Sequence, residues 1–352
     1  MKGAAFFKAF PVPKYLRFPA VGFDVSDGSV KFIELYQTVG GVQVGKFGKQ
    51  FYSENDLTQT LFEIRKQNNF DMVNVSIPEE DAFFVRIRLP FISTPEIREA
   101  IELHLEEYIP YAAADVEFDY EVIATDPRPD GYVDVNVSVL PKVIVEKYLR
   151  IFNAAGFRPT LFMVEAEATA RAVVDKREKD VVMIVNIGKQ STVLSIVVRG
   201  LVWFSYSFKF GGDFLTERIS KSFSMSAEDA EKIKKEKGLV NSTENQDLFD
   251  CLLPSISSIR DEISKHYLFW SSHRKESFMA QNEGEIGKII LCGSQASIPG
   301  VLDYIATAMG VRTDLGYPWV NILDVEQYVP PITREAVLEY ATAIGLSEAS
   351  IK

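Results

Sequence analysis

Cysteine and histidine are scarce in this chain of 352 residues. There are two cysteines, Cys251 and Cys292, and three histidines, His104, His266 and His273. Neither cysteine belongs to a C-x-x-C pair, and each lies in or beside an apolar run. A disulfide framework and a zinc site are therefore both excluded, and the thiols read as reduced core residues. Long hydrophobic runs are also missing. Stretches such as Val181 to Val185 fall far short of the ~18 apolar residues that a spanning helix needs. Net positive charge is absent as well: Lys and Arg number 38 against 49 Asp and Glu, a net charge of −11. Without a basic face, nucleic acid is excluded as the main partner. Apolar residues make up 47 % of the chain, enough to fill packed cores over this length.

Acids are missing from the N-terminal segment. Residues 1–20 carry Lys2, Lys8, Lys14 and Arg17, together with Phe6, Phe7, Phe10, Tyr15 and Phe18. The apolar stretch from Ala4 to Phe7 is too short for a secretory signal, and Lys8 interrupts it. Two readings of this tail stay open. It can touch an anionic membrane surface, or it can serve as a lead-in that covers an apolar patch. Pro11, Pro13 and Pro19 rule out a long amphipathic helix.

Two short segments look like copies of one device. Phe23 to Val30 is one, and Val185 to Thr192 is the other. Each has an apolar run closed by an acid or amide, Asp24 or Asn186. A turn of small and polar residues follows, with a Ser five positions on, Ser29 or Ser191. A second strand-like run then completes each hairpin, Val30 to Leu35 and Val193 to Val198. Ser26, Gly28 and Ser29 can aim backbone N–H groups and hydroxyls at a phosphate, and Lys31 lies just past the turn. Asp24 would stand close enough to hold hydrated Mg²⁺. An ordinary β-hairpin turn uses the same residue types, so one copy alone decides nothing. The two copies lie close to half the chain apart, as a duplication into two lobes would leave them. Gly188 and Ser191 complete the second copy.

The stretches between the hairpins suggest how the lobes are built. Helical spacing is expected over Leu57 to Gln67 and a short strand over Met72 to Ile77. Residues of about 78–140 read as strand, helix, strand, strand, a small subdomain inserted in the first half. Thr94 is the expected N-cap of its helix, with Pro95 at the first helical position. Val143 to Ala155 and an alanine-rich Val164 to Asp175 follow as helices, the second suited to a hinge. The charged run Asp175 to Asp180 separates the halves. The expected units are therefore 21–178 and 179–352, the second including the C-terminal return helix. In the second half, Gly211-Gly212-Asp213 is a turn before a helix. Ser226 caps another helix, which carries Glu231 and Lys234 on one face. A strand ends at Cys292-Gly293-Ser294, where glycine permits close approach of a ligand. The last helix is expected over Thr333 to Gly345.

Taken in order, these features resemble the actin-like ATPase superfamily. The matching segments are Gly22-Phe23-Asp24, Asn186-Ile187-Gly188, Ala230-Glu231-Lys232-Ile233-Lys234 and Gly293-Ser294. The insert narrows the resemblance to the FtsA/PilM family, and within it to the actin-like proteins of type IV pilus assembly. The segments Val73 to Pro78, Arg86 to Pro90, Glu96 to Ile101, Tyr108-Ile109-Pro110, Gly211-Gly212-Asp213 and Tyr340 to Leu346 look like that pattern.

The resemblance implies an α/β, actin-like ATPase fold with two duplicated lobes. It implies ATP and Mg²⁺ between the lobes, held by Asp24, Ser26, Gly28, Ser29, Lys31, Asn186, Gly188, Ser191, Gly211, Gly212, Glu231, Lys234, Gly293 and Ser294, with Asp24 toward the metal. It implies a partner, the N-terminal peptide of a PilN-like membrane protein, gripped beside the insert around residues 78–110. It also implies coupling to the pilus motor ATPases and a cytoplasmic location peripheral to the inner membrane. Self-association into a homo-oligomer stays open.

Two departures from the pattern point to slow hydrolysis or none. Asn186 stands where the family has Asp, and Ser26 where it often has Gly. The alternatives are an FtsA-like cell-division protein, a nucleotide-free scaffold, or a sugar or acetate kinase. The segment after Ser347 is too short for the membrane helix that FtsA carries. No acid with a recognisable surrounding motif serves a kinase.

Overall fold

The computed structural model describes residues 21–38, 41–53, 56–90, 92–123, 131–273, 284–323 and 328–351. The N-terminal tail lies outside them, as do residues 124–130. Among the described residues no helix is long and apolar enough to cross a membrane.

Each half of the chain builds a five-stranded sheet with the same plan. In the first half β1 (Val21–Ser26), β2 (Ser29–Thr38) and β3 (Gly41–Phe51) form an antiparallel meander. The chain then crosses through α1 (Leu57–Asn68) and returns as β4 (Met72–Ile77), parallel to β1. A fifth strand, β8 (Arg158–Val164), lies parallel to β4 at the edge, giving the order β3-β2-β1-β4-β8. The second half repeats this with β9 (Val181–Ile187), β10 (Thr192–Val198), β11 (Leu201–Phe208), β12 (Ile286–Cys292) and β13 (Thr313–Leu315). Its order is β11-β10-β9-β12-β13. Two sheets of the same connectivity make the duplication structural.

Between β4 and β8 the chain leaves the first sheet and makes its own small one. The strands β5 (Phe83–Pro90), β6 (Val116–Val122) and β7 (Tyr132–Pro141) pair antiparallel in the order β5-β7-β6. Helix α2 (Thr94–His104) covers this sheet and buries Ile97 and Ile101 among Ile87, Leu89, Val135 and Val137. Ser93, not Thr94, is its N-cap, because the Ser93 N–H donates to Glu96 Oε2 at 2.9 Å. Helix α3 (Lys142–Ala154) then leads back to β8.

Apolar residues divide into separate cores. In the first lobe Phe23 packs against Phe32 and Phe157, with ring centroids 5.6 and 5.1 Å apart. In the second, alternate residues of β9 (Val181, Met183, Val185, Ile187) point into the core under α5 (Gly212–Phe223), α6 (Ala227–Lys237), α7 (Gln246–His273) and α8 (Val301–Met309). The opposite residues of β9, Val182 and Ile184, join a third core shared by both lobes. Both faces of β9 are buried, hence its unbroken apolar run.

That shared core holds two helices, α4 (Glu165–Val173) and α9 (Ala341–Glu348). Helix α4 contacts β10 and β11 of the second lobe, while α9 lies on β1, β2 and β4 of the first. The return helix therefore crosses to the first lobe rather than completing the second. A short 3₁₀ turn, Ala336–Tyr340, precedes α9, so the helix expected from Thr333 is broken in two. Small residues explain the crossing. A Cβ on Gly22 would collide with the Ala343 carbonyl, and one on Gly345 with the Ala168 carbonyl. Polar groups in the hinge are paired with one another. Asn74 Nδ2 donates to the Leu346 carbonyl at 2.7 Å, and Thr169 and Thr342 share a hydrogen bond of 2.9 Å.

Candidate functional site

The two hairpins meet at the floor of the cleft between the lobes. The first closes through a two-residue turn, Asp27-Gly28, with φ of 53° and 66°. Both residues are left-handed, as the Asp-Gly turn favoured between twisted strands requires. The second turns over Gly188 to Ser191, where the Gly188 N–H donates to the Ser191 carbonyl at 2.9 Å. The hairpins touch through Asp27. Its Oδ2 accepts from the Lys189 N–H at 2.7 Å and its Oδ1 from the Gln190 N–H at 2.9 Å. Gly188 permits this approach, since a Cβ there would strike the Asp27 carboxylate.

Beneath this contact lies a buried ionic layer. Lys31 Nζ donates to Asp24 Oδ2 at 2.8 Å and to Ser26 Oγ at 3.1 Å, and both charged residues are buried. Burial alone would lower the Lys31 pKa, but the Asp24 carboxylate holds it above the ordinary lysine value. Asn186 Nδ2 donates to Glu165 Oε1 at 2.9 Å, at the start of α4. Burial and the nearby Asp24 carboxylate push the Glu165 carboxyl well up. Glu79 sits beside this layer, in the turn after β4. Its Oε2 accepts from the Ala166 N–H at 3.1 Å, and its Oε1 accepts from the Ser205 hydroxyl on β11. Burial raises its pKa to about 7 against these hydrogen bonds. One carboxyl thus joins the first lobe, the N-terminus of α4 and the second lobe.

A cavity of about 630 Å³ opens above the hairpins, within the range of nucleotide-sized pockets. Lys49 and Phe51 of β3 line one side. Lys189, Thr216, Glu231 and Ser294 line the other. Of the expected binding residues, Glu231 and Ser294 line this cavity. Gly211 and Gly212 do not line it but precede the lining residue Asp213, and the Gly212 N–H donates to the Gly188 carbonyl at 3.0 Å. Gly293, at φ 87°, lets the loop after β12 close on the second hairpin, where a Cβ would strike Asn186 and Ile187.

Lys234 does not line the cavity but stands behind its wall, with Nζ 2.6 Å from Glu231 Oε2. It is buried, with Nζ donating to the Gly212 carbonyl at 3.0 Å, and burial lowers its pKa. Burial also opposes the Glu231 charge, but hydrogen bonds from Lys234 and Thr216 outweigh it and draw the carboxyl to about 2. Asp24, Ser26, Ser29, Lys31 and Asn186 do not line the cavity. Gln295, one residue past the expected loop pair, is buried with Oε1 lacking any hydrogen-bond partner, and its N–H holds the Ile187 carbonyl at 3.0 Å.

Two further grooves flank the insert. Five consecutive residues of β6, Glu117 to Glu121, and four of β8, Leu161 to Val164, line a cavity of about 540 Å³. Both are edge strands of their sheets. Glu117, Asp119 and Glu121 are exposed along one side of β6. The other groove, of about 760 Å³, runs from Glu79 to Val85 and Tyr108, opposite Phe204 to Phe208 of β11 and the following Lys209.

The match to known proteins follows the same geometry. A family described as "Type IV pilus assembly protein PilM" matches residues 22–350. The chain shares its fold with a protein in the structure of a PilM-PilN type IV pilus biogenesis complex, with TM-score 0.76, 19 % identity and coverage of 96 % of this chain and 99 % of that one. MreB5 of Spiroplasma citri bound to ADP (TM-score 0.56, 13 % identity, 92 % and 94 % covered) and the ethanolamine utilization protein EutJ of Carboxydothermus hydrogenoformans (0.54, 14 %, 96 % and 91 %) share it too. The cell division protein FtsA of Bacillus subtilis is 24 % identical over 173 residues, 46 % of this chain but only 39 % of FtsA. The fold is the actin-like ATPase fold, and with a match over nearly its whole length the chain belongs to the PilM family of type IV pilus assembly proteins.

Proposed function

We propose that this protein is a nucleotide-responsive adaptor of the pilus assembly platform. It binds ATP between its lobes and a short N-terminal peptide of a PilN-like membrane protein beside its insert. Through that peptide it sits in the cytoplasm against the inner membrane and couples the platform to the motor ATPases. The interlobe cavity carries the reading. It has the volume of a nucleotide pocket, and Gln295 leaves a buried acceptor beside it without a donor. Such an orphan costs about 1–3 kcal/mol, and the Gln295 amide packs against Gly212 at the edge of the cavity.

Mg²⁺ does not fit on Asp24 in this arrangement. One oxygen is taken by Lys31 and the other lies 3.4 Å from the Ser76 hydroxyl, and the ammonium would repel a divalent ion. Among the described residues no group of three or more His, Cys, Asp or Glu is placed to hold a metal. The ion would arrive on the nucleotide phosphates, with no ligand assigned to this chain. Asn186, engaged with Glu165, offers no acid to activate water, which supports slow hydrolysis or none. The buried Asp24–Lys31 pair satisfies itself without a ligand. That favours a nucleotide-free scaffold as the competing reading.

The resemblance points to residues 78–110 for the peptide, several of which line the groove opposite β11, but we assign it instead to the groove between β6 and β8. Two free sheet edges face one gap, where an extended segment can pair with either strand. The acidic row on β6 suits a basic segment.

Thermal unfolding with Mg-ATP separates the readings. ATP at 100 times its Kd adds about 2.7 kcal/mol, and no shift at millimolar ATP would favour the empty scaffold. Turnover of several ATP per second would sink the adaptor reading. Pull-down with basic PilN-type peptides should lose its signal in a Glu117→Lys/Asp119→Lys/Glu121→Lys protein.

A further inference from the structure

Two adjacent backbone N–H groups that converge on one point form an anion nest. The turn of the second hairpin presents such a pair, at Lys189 and Gln190, and both converge on one carboxylate. That carboxylate comes from the other lobe. It stands on a two-residue turn whose left-handed backbone aims it across the cleft, and Gly188 clears the space it needs. Lys189 also lines the interlobe cavity, while Gln190 and Asp27 do not, so the nest borders the space that a nucleotide would fill. Its ammonium reaches Asp213 at 3.7 Å, leaving the nest itself to Asp27.

We propose that Asp27 is an internal competitor for the terminal phosphate of a nucleoside triphosphate: its carboxylate fills the nest at Lys189 and Gln190 and latches the lobes, and a third phosphate must displace it. The inference rests on the nucleotide reading above. A diphosphate has one phosphate fewer and leaves the latch in place. The chain therefore discriminates between the two nucleotides through this one side chain. A triphosphate releases the hairpin contact and a diphosphate keeps it. Charge supports the competition. Carboxylate and phosphate cannot share the same two donors, and at close range they repel each other.

Asp27→Gly tests this without strain, since glycine accepts the left-handed backbone of the turn. Hydrogen exchange at the Lys189 and Gln190 amides, read in the full chain without nucleotide, should quicken by at least about tenfold, the equivalent of 1.4 kcal/mol. Unchanged exchange would overturn the latch. Calorimetric titration with Mg-ATP and Mg-ADP should show the ratio of ATP to ADP affinity rising by about tenfold in the variant. Asp27→Asn, which keeps one acceptor, should fall between. An unchanged ratio, or equal tightening of both nucleotides, would overturn the competition. If neither nucleotide binds either protein, the nucleotide reading fails and the competition fails with it. The exchange rates would still confirm or overturn the latch.

Discussion

Glu79 makes the stability of this protein depend on pH in a direction opposite to that of an ordinary salt-bridged acid. Its carboxyl is buried in the turn after β4 and its pKa is raised from 4.5 to about 7. The folded state therefore keeps a proton that the unfolded chain has given up. The stabilisation is fully present below about pH 4.5 and is lost as pH rises through 7. The gap is worth about 3 kcal/mol, since each pKa unit corresponds to about 1.4 kcal/mol.

Glu79→Gln mimics the protonated form. The amide oxygen can accept from the Ala166 N–H, and the amide N–H can donate to the Ser205 hydroxyl. We expect the variant to match wild type near pH 4.5 and to exceed it by about 3 kcal/mol at pH 8. Urea unfolding at half-unit intervals from pH 4.5 to 8 measures the difference. Glu165 and Glu167 are also raised by burial, and each interacts with the Glu79 charge, so the difference between the curves reports Glu79 together with its coupling to them. Parallel stability curves over this range would refute the reasoning. A variant less stable at pH 8 would show that the carboxylate is ionised and better satisfied than its burial implies.

The ion pair under the first hairpin gives a second test. Lys31→Met leaves the Asp24 charge buried alone and should cost about 3–5 kcal/mol. The Asp24→Leu/Lys31→Met double variant should be more stable than this single one in urea unfolding, and additive costs would count against the pair. Gly345→Ala drives a methyl into the Ala168 carbonyl and should destabilise the hinge by about 3 kcal/mol or more; an unchanged melting temperature would contradict the close approach. Thiol titration should find one reactive cysteine in the native protein and two in denaturant. Cys292 is fully buried with its pKa pushed well up by that burial, while Cys251 is half-buried. Two fast thiols in the native state would show that the second sheet opens.

Local patterns were legible in the chain and long-range ones were not. Both hairpins, the Ser226 cap and the strands of the insert announce themselves within a few residues. Strand β8 does not. It has Pro159 near its start and half-buried residues along its length, and only pairing with β4 makes it a strand. Strand β13 spans three residues, too few for any period. The site divides in the same way. Its glycines could be placed because turns demand them. Lys31 and Lys234 are expected to face a ligand, but Asp24 on the paired strand holds the first, and Glu231 on its own helix together with the Gly212 carbonyl holds the second. Glu79 and Glu165 carry no local mark, because closure of the lobes around α4 creates their burial. Asp27 reads as an ordinary turn residue, and its contact with Lys189 and Gln190 spans nearly half the chain. Gln295 directly follows the Cys292-Gly293-Ser294 turn, yet nothing in the sequence says that its oxygen lacks a partner.

The crossing of α9 sets an order for biosynthesis. Strands β1, β2 and β4 are made first, yet the helix that covers their inner face follows the whole second lobe. A nascent chain can close the aromatic core around Phe23 early. It must still hold the other face of that sheet, with Ile33 and Leu35, open until residues 341–348 have left the ribosome. The first lobe is thus the earliest to be synthesised and among the last to be finished. During that interval an apolar sheet face stands exposed to chaperones or to neighbouring chains.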